Sequence, residues 1–497
     1  MSVERNLPLI RERKQAILKG DEGRLAEQKK LGKLTARDRV AMLLDPQSFV
    51  ELDALCGKGA ESGVVTGYGL VDGRAVFVYA QDYVQAGGAV GAEHARKVLK
   101  VMSMAQKTGA PVVAMFDSTG ARLLEGVNAV DAYAQIAAKT AALSGVVPQV
   151  ALVLGQCAAS AAMIAAMNDV VIQSEAGRLF VNGPQLVSAN TGKQVTSEQL
   201  GGMEASSATG IAQMTAKTDA EAVALARKTV MLLPSNNLED APTDFASVDD
   251  VNREAPELNV IDTVGDIKEV LVKVADAGSV LEFSAEYAPE MVIALGAIGG
   301  RTVGFVATQP SVDQGSLTVK GSAKAARFIS MCDSFNIPLV SLVDTVGMAI
   351  RCEKGQGKLA RAGAQLISAL SEATTARIAV ITGKAIGAGY IALASRPTQD
   401  VVYAWPGAEI APLDAPAAVQ VLMEDELKGI DNPEQKRAQL EQDYQDNQAD
   451  GINAAQLGYV DDVIEPAETR MMVAAALEML ATKRDARLPK KHGNLPL

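Results

Sequence analysis

The sequence predicts an α/β chain built from two duplicated halves, and three observations lead there. The first is composition: 497 residues, 48% of them apolar and 21% charged, leave ample core for two to four domains of about 150 residues each. The second is alternation, because short apolar runs alternate with longer stretches of helical period, which suits α/β layers better than a sandwich or a bundle. The third is internal repetition. Gly109–Arg122 (GAPVVAMFDSTGAR) lies over Asn336–Ala349 (NIPLVSLVDTVGMA), with Pro111 on Pro338, Asp117 on Asp344 and Gly120 on Gly347, all at one constant spacing. A second block, Gly155–Ala162 (GQCAASAA), lies over Gly383–Tyr390 (GKAIGAGY) at a spacing longer by a single position, and Gly87 falls on Gly315 at that same longer spacing.

Taken in order, the first 45 residues read as charged amphipathic helices that lie on the first half or on a neighbouring subunit. Ala92–Thr108 places Val98, Val101, Met102 and Ala105 at helical spacing and stops before Gly109. Val112–Phe116 is a short buried strand that ends at Asp117-Ser-Thr-Gly, a turn whose glycine permits positive φ or close approach of a ligand. Gln149–Leu154 is a second strand, and it runs into the small-residue turn Cys157-Ala-Ala-Ser, which opens a helix over Ala161–Met167. The acidic, proline-bearing stretch Leu238–Asn259 reads as the linker, giving domains 1–245 and 260–497. Met423–Asp450, rich in Glu, Gln, Asp and Lys, reads as a solvated helix pair.

Several function classes are excluded. With 47 basic and 59 acidic residues the net charge is −12, and no Lys/Arg block is dense enough to track a phosphate backbone, so nucleic acid is not an expected partner. The most apolar stretch, Val146–Ala166, is broken by Pro148, Gly155 and Ser160 and falls short of a membrane span. An N-terminus carrying Glu4, Arg5, Arg11 and Glu12 lacks an export signal, so a cytoplasmic location is expected. Cys56, Cys157, Cys332 and Cys352 match neither a disulfide framework nor a CxxC zinc site and are expected to be reduced thiols. Only His94 and His492 are present, so no metal site is expected and a mechanism needing a histidine base has few options. His94 itself is expected to face solvent, Trp405 to pack beside a turn, and Asp461-Asp462 to form a solvated turn before a strand.

The two small-residue turns are the sharpest chemical feature. A turn stripped of side chains lets a ligand reach backbone N–H groups, which is how an oxyanion hole is built. Close packing of a helix on a sheet also calls for small residues, and both readings stand at this point. Asp117, Arg122 and Glu125 are candidates for acid, base or anion clamp, or else for a helix cap and a surface pair.

With those residues in view, the sequence resembles the carboxyltransferase (beta-type) subunit of biotin-dependent acyl-CoA carboxylases and decarboxylases, from about Leu34 to Leu497. The likeness rests on KLTARDRVAMLLDPQSFVELD (Lys33–Asp53), DSTGAR (Asp117–Arg122), SGVVPQVALVLGQCA (Ser144–Ala158), LLPSNN (Leu232–Asn237), YAWPGAEIA (Tyr403–Ala411), GYVDDVIEP (Gly458–Pro466) and the tail KKHGNLPL. It implies two crotonase-like domains, with acyl-CoA bound chiefly by the N-terminal half and biotin by the C-terminal half of a partner subunit in a homo-oligomer, a hexamer. In such enzymes the coenzyme itself serves as base, so no histidine is required. The protein then supplies two pairs of backbone N–H groups for two enolate-like oxygens. By position these are Ala159 and Ser160 for the thioester, and Ala388 and Gly389 for biotin. Gly87, Gly88, Ser118, Thr119, Gly120, Ala121 and Arg122 fall in the acyl-CoA site, and Gly347, Gly387 and Tyr390 in the biotin site.

This chain departs from the family in having Ala159-Ser160 for Gly-Gly, DSTGAR for DSGGAR, and an altered biotin-side loop from Ile350 and Arg351 to Lys354-Gly355-Gln356. Ser206, Ser207 and Gln213 stand near places where the family has histidines. No Met-Lys dipeptide is present, so biotin arrives on a separate biotin carboxyl carrier protein. The expected function is therefore carboxyl transfer between that biotin and a short-chain acyl-CoA of the propionyl or methylmalonyl kind. The altered loop favours a decarboxylase or transcarboxylase complex, with membrane decarboxylase subunits as partners in the first case. The alternative is an ATP-dependent carboxylase working with a biotin carboxylase. Two other readings remain: a biotin-independent crotonase-like lyase or isomerase using Glu125 or Asp117, and a non-catalytic scaffold subunit.

Overall fold

The structure, a computed structural model, describes residues 3–56, 62–243, 249–261, 263–350, 355–427, 432–485, 489–490 and 493–494. Cys352, His492, Arg351 and Lys354 lie outside the described residues. The chain divides into two compact units, Met1–Asp240 and Ala241–Leu497.

The first unit begins with three helices, α1 (Val3–Lys19), α2 (Glu22–Lys30) and α3 (Ala36–Leu43). Asp21 caps α2, and Thr35 with Asp38 forms a capping box on α3, which fixes where each helix starts. α1 buries no side chain, whereas α3 buries Ala36, Arg39, Val40 and Leu43. The strands are β1 (Val50–Glu51), β2 (Val64–Val71), β3 (Arg74–Gln81), β4 (Val112–Phe116), β5 (Gln149–Val153), β6 (Gln156–Ala158), β7 (Val170–Ser174), β8 (Arg178–Phe180) and β9 (Met214–Ala216). Seven of them form one sheet in the order β1-β2-β3-β4-β5-β7-β9, antiparallel as far as β3 and parallel beyond it. β6 and β8 make a separate parallel pair. The central strands β4 and β5 are buried throughout, as expected for a parallel sheet covered on both faces.

Between β3 and β4, α4 (Ala92–Thr108) turns Val98, Val101, Met102 and Ala105 into the core and ends where Gly109 takes the left-handed conformation. The same buried face carries His94, contrary to the solvent-facing expectation: the ring is enclosed, with Nδ1 3.1 Å from the Ser62 carbonyl. The helix after β4 is α5 (Val127–Leu143), and the helix after β6 is α6 (Ser160–Ala166).

The second unit repeats the plan. Its strands are β10 (Leu281–Phe283), β11 (Met291–Ile298), β12 (Arg301–Thr308), β13 (Leu339–Thr345), β14 (Arg377–Ile386), β15 (Val401–Ala404), β16 (Glu409–Ala411) and β17 (Asp462–Val463). They run β10-β11-β12-β13-β14-β15-β17, with β16 pairing on the end of β14. Where the first unit breaks its strand into β5 and β6, β14 continues through both, and its last three residues pair with β16 as β6 pairs with β8. Trp405 packs in this core and donates Nε1–H to Thr469 Oγ1 at 2.9 Å, as expected.

Two sequence expectations change here. Residues 249–259 do not link the units: Ala255 and Leu258 are buried in the second core and the Ala255 N–H donates to the Ala467 carbonyl. The expected solvated helix pair near Met423–Asp450 contains the helix Pro433–Tyr444, which buries Leu440 and Tyr444, followed by a π-helical turn, Gln445–Ala449.

Candidate active site at two matched turns

The turn after β6 is set by Ala159, which holds φ 54° and ψ −124° and so reverses the chain into α6. Its counterpart is Gly387, at φ 50° and ψ −115°, which leads from β14 into the helix Ala388–Leu393. A non-glycine residue in this region costs about 1–3 kcal/mol and persists only where the surroundings hold it. Here they do: the Ala159 N–H donates to the Phe180 carbonyl at 3.0 Å, as the Gly387 N–H donates to the Ala411 carbonyl at 2.8 Å.

That pairing decides which N–H groups remain for a ligand. Ala159, expected from the sequence as a donor, already gives its N–H to β8, so the expected pair Ala159 and Ser160 is corrected by one residue. At the start of α6 it is Ser160 and Ala161 whose N–H groups find no partner among the described residues, and in the second unit Ala388 and Gly389, with Tyr390 beside them, find none. Corrected in this way, the two pairs stand at the same spacing as Gly155 and Gly383, the glycines that open the two turns. The packing explanation for the small residues also holds, but for different positions. A Cβ at Gly155 would lie 1.9 Å from Asp117 Oδ1, and one at Gly383 would lie 2.4 Å from Asp344 Oδ2.

The residues that the sequence places in an acyl-CoA wall are joined to one another in the first unit. The Thr119 N–H donates to the Gly87 carbonyl, the Gly120 N–H to Ser118 Oγ at 3.0 Å, and Arg122 Nε to the Ala89 carbonyl at 3.2 Å, while Ala121 bridges to Val90. Gly88 is the glycine this wall requires, because at φ 63° its Cβ would lie 2.4 Å from the Asp117 carbonyl oxygen. Gly315 stands in the same relation to the Asp344 carbonyl, so the structural match is Gly88 on Gly315, not Gly87. The residue matching Gly87 is Gln314, also left-handed at φ 53°.

In the second unit the Gly347 N–H donates to Thr345 Oγ1, and the Tyr390 hydroxyl reaches the Tyr459 carbonyl at 3.4 Å. Gly387, Ala388 and Tyr390 line a cavity of about 460 Å³, which Ile391, Gln448 and Tyr459 extend. Gln448 was not singled out from the sequence, since it arrives from a segment with no marking of its own.

The acidic candidates both have partners within the first unit. Asp117 Oδ1 accepts from Lys33 Nζ at 2.7 Å in a partly buried contact, and Oδ2 accepts from Arg39 at 2.9 Å and Gln28 at 3.1 Å, both buried. Glu125 caps α4 by accepting the Ala92 N–H at 2.7 Å, close to Arg122. Burial pushes the His94 ring down to about 3, so it stays neutral. Burial likewise raises the Cys157 thiol beneath the first turn. The sequence gives Lys33 and Arg39 no role of their own, because their shared partner lies 84 and 78 residues away.

Each unit is a mixed sheet that carries a small-residue turn at the same strand end, and the family to which the whole chain belongs is that of the carboxyl transferases. The carboxyl transferase domain matches residues 27–495. The methylmalonyl-CoA decarboxylase alpha subunit of Propionigenium modestum is 38% identical, covering 98% of each chain. The propionyl-CoA carboxylase carboxyltransferase subunit of Haloferax mediterranei is 40% identical over the full length of both. Among solved structures, the transcarboxylase 12S hexamer with hydrolysed methylmalonyl-CoA bound is 40% identical, with a TM-score of 0.94 over 100% of this chain and 99% of that one.

Proposed function

We propose that this chain transfers a carboxyl group between biotin held on a separate carrier protein and a short-chain acyl-CoA of the propionyl or methylmalonyl kind. The observation that carries the reading is the pair of matched turns, each presenting at least two backbone N–H groups without an internal partner among the described residues. The acyl-CoA lies against the first unit, with its thioester oxygen at the N–H groups of Ser160 and Ala161 and its pantetheine along Ser118–Arg122. As charge moves onto that oxygen, the two donors bind it more tightly than they bind the neutral thioester, and each such donor is worth about 3–4 kcal/mol. Lysine, arginine and glutamine hold the Asp117 carboxylate, which leaves it no role as an acceptor toward the developing charge in this reading.

The second unit fits a biotin ring: its cavity of about 460 Å³ is mostly apolar, and Ala388, at the start of the helix with the free N–H groups, lines it. Ala388 and Gly389 would hold the ureido oxygen, with Gly347, Gly387 and Tyr390 around it. Bound there, biotin supplies the carrier of the carboxyl group and the proton acceptor for the acyl α-carbon. That division agrees with a site in which His94 is neutral and Asp117 and Glu125 are occupied.

Relatives from decarboxylase, carboxylase and transcarboxylase complexes match at 38–40% identity, so the step they share is what the resemblance carries to this chain. A biotin carboxyl carrier is the partner this reading requires. A hexamer is the assembly, and exposed apolar side chains at duplicated places favour one: Leu123 is 86% exposed and Ile350, its counterpart in the second unit, 98%, with Met163 and Ile391 a second such pair. The test is incubation of the purified chain with methylmalonyl-CoA and free biotin. Release of propionyl-CoA that depends on biotin supports the reading, and equal turnover without biotin removes it.

A further inference from the structure

α3 places one guanidinium where three strands end. Arg39 is fully buried, and each of its nitrogens has an acceptor: Nε donates to Asp219 Oδ2 at 2.9 Å, Nη1 to Asp117 Oδ2 at 2.9 Å, and Nη2 to the Leu154 carbonyl at 3.1 Å. Asp117 follows β4 and Leu154 follows β5. Asp219 in turn accepts from Ser174 Oγ, the last residue of β7, and from the Leu34 N–H. The two turns of the acyl-CoA wall meet at this point, since the Ser118 N–H donates to the Gln156 carbonyl and Gly155 packs on the Asp117 carboxylate. Lys33 adds a second cation to that carboxylate from the same short segment.

The duplicated half is an internal control. Asp344 holds the place of Asp117, with Gly383 packed on it as Gly155 is on Asp117, yet its Oδ1 accepts only the Lys384 N–H, and no described lysine or arginine forms an ion pair with it. Among the described residues, the second unit thus builds this turn without a guanidinium beneath it.

Resting on the carboxyl-transfer reading above, we propose that Arg39 is a positioning residue for the reaction: acting through Asp117 and the Leu154 carbonyl, it fixes the acyl-CoA turn relative to the Ser160 and Ala161 N–H groups. Donors that stabilise developing charge must be held to within a fraction of an ångström, and a displacement of about 1 Å costs about 100-fold in rate. Lysine keeps the charge but cannot reach three acceptors in a plane.

The experiment uses the intact chain with methylmalonyl-CoA and free biotin. For Arg39→Lys the expected result is a cooperative thermal transition, acyl-CoA affinity within about threefold of wild type, and kcat lower by about 100-fold. Asp117→Asn, which removes the far end of the same contact, should show the same split. A kcat within about threefold of wild type in Arg39→Lys overturns the proposal. So does a loss of acyl-CoA affinity that matches the loss of kcat, or failure of both variants to fold, either of which makes the network purely structural. If wild type itself shows no biotin-dependent transfer, it is the carboxyl-transfer reading that falls.

Discussion

Asp117 and Asp344 occupy the same place in the two halves of this chain and are held in opposite ways. The first lies between Lys33 and Arg39; the second, among the described residues, accepts a backbone N–H from Lys384, and burial raises its carboxyl. The backbone of the turn is the same in both units, and the N-terminal segment brings Lys33 and Arg39 to the first of them.

The unpaired member of that pair should weaken the fold as pH rises. An acid whose folded pKa is raised binds more protons folded than unfolded between its ordinary value of 3.8 and its folded value, so stability falls as pH climbs through that window. Asp344→Asn keeps the size and an acceptor for the Lys384 N–H. Its unfolding midpoint should exceed that of wild type at pH 7, with the difference vanishing below pH 4; thermal melts across that range check it, and a lower midpoint at pH 7 would count against it.

His94 acts in the other direction. Its folded value near 3 lies below the ordinary 6.5, so the stability it contributes is complete above pH 6.5 and is lost as pH falls toward 3. The slope is about 1.4 kcal/mol per pH unit. His94→Gln should remove that component of the acid-side decline seen in denaturant melts, whatever its effect on absolute stability. An unchanged decline would show that the ring is not carrying it.

At Ala159 the backbone is strained, and it is the turn rather than the methyl group that the site uses. Ala159→Gly should therefore raise stability by up to about 1 kcal/mol and leave kcat near wild type. Ala159→Val should lower kcat by orders of magnitude, because a β-branched residue resists this φ and displaces the Ser160 and Ala161 donors. Steady-state kinetics with denaturant melts on the two variants decide it. Unchanged kinetics in the valine variant would remove the turn from the active site.

How much of this was legible in the sequence follows from how local each feature is. The two turns announce themselves because Gly155–Ala162 and Gly383–Tyr390 are runs of small residues next to apolar strands. Which N–H groups stay free was not legible, since it depends on Phe180 and Ala411 pairing back from later in the chain. The Gly87 match slipped by one for a related reason: Ala86, Gly87 and Gly88 are all left-handed, as are Asp313, Gln314 and Gly315, and only the residue facing the aspartate carbonyl must lack a Cβ. The clamp on Asp117 leaves no local pattern at all, because a lysine and an arginine in a helical segment look like solvated charge until the strand ends arrive beside them.

The division of labour between the halves is tested most directly at Gly389, where a Cβ would lie 2.5 Å from Thr345 Cγ2 and any larger side chain must displace the start of the helix Ala388–Leu393. The measurement is carboxyl transfer from methylmalonyl-CoA to free biotin by Gly389→Val, beside its acyl-CoA dissociation constant. Loss of transfer with acyl-CoA affinity close to wild type is the predicted result. Loss of acyl-CoA affinity with biotin-dependent transfer retained would contradict it and exchange the roles of the two units.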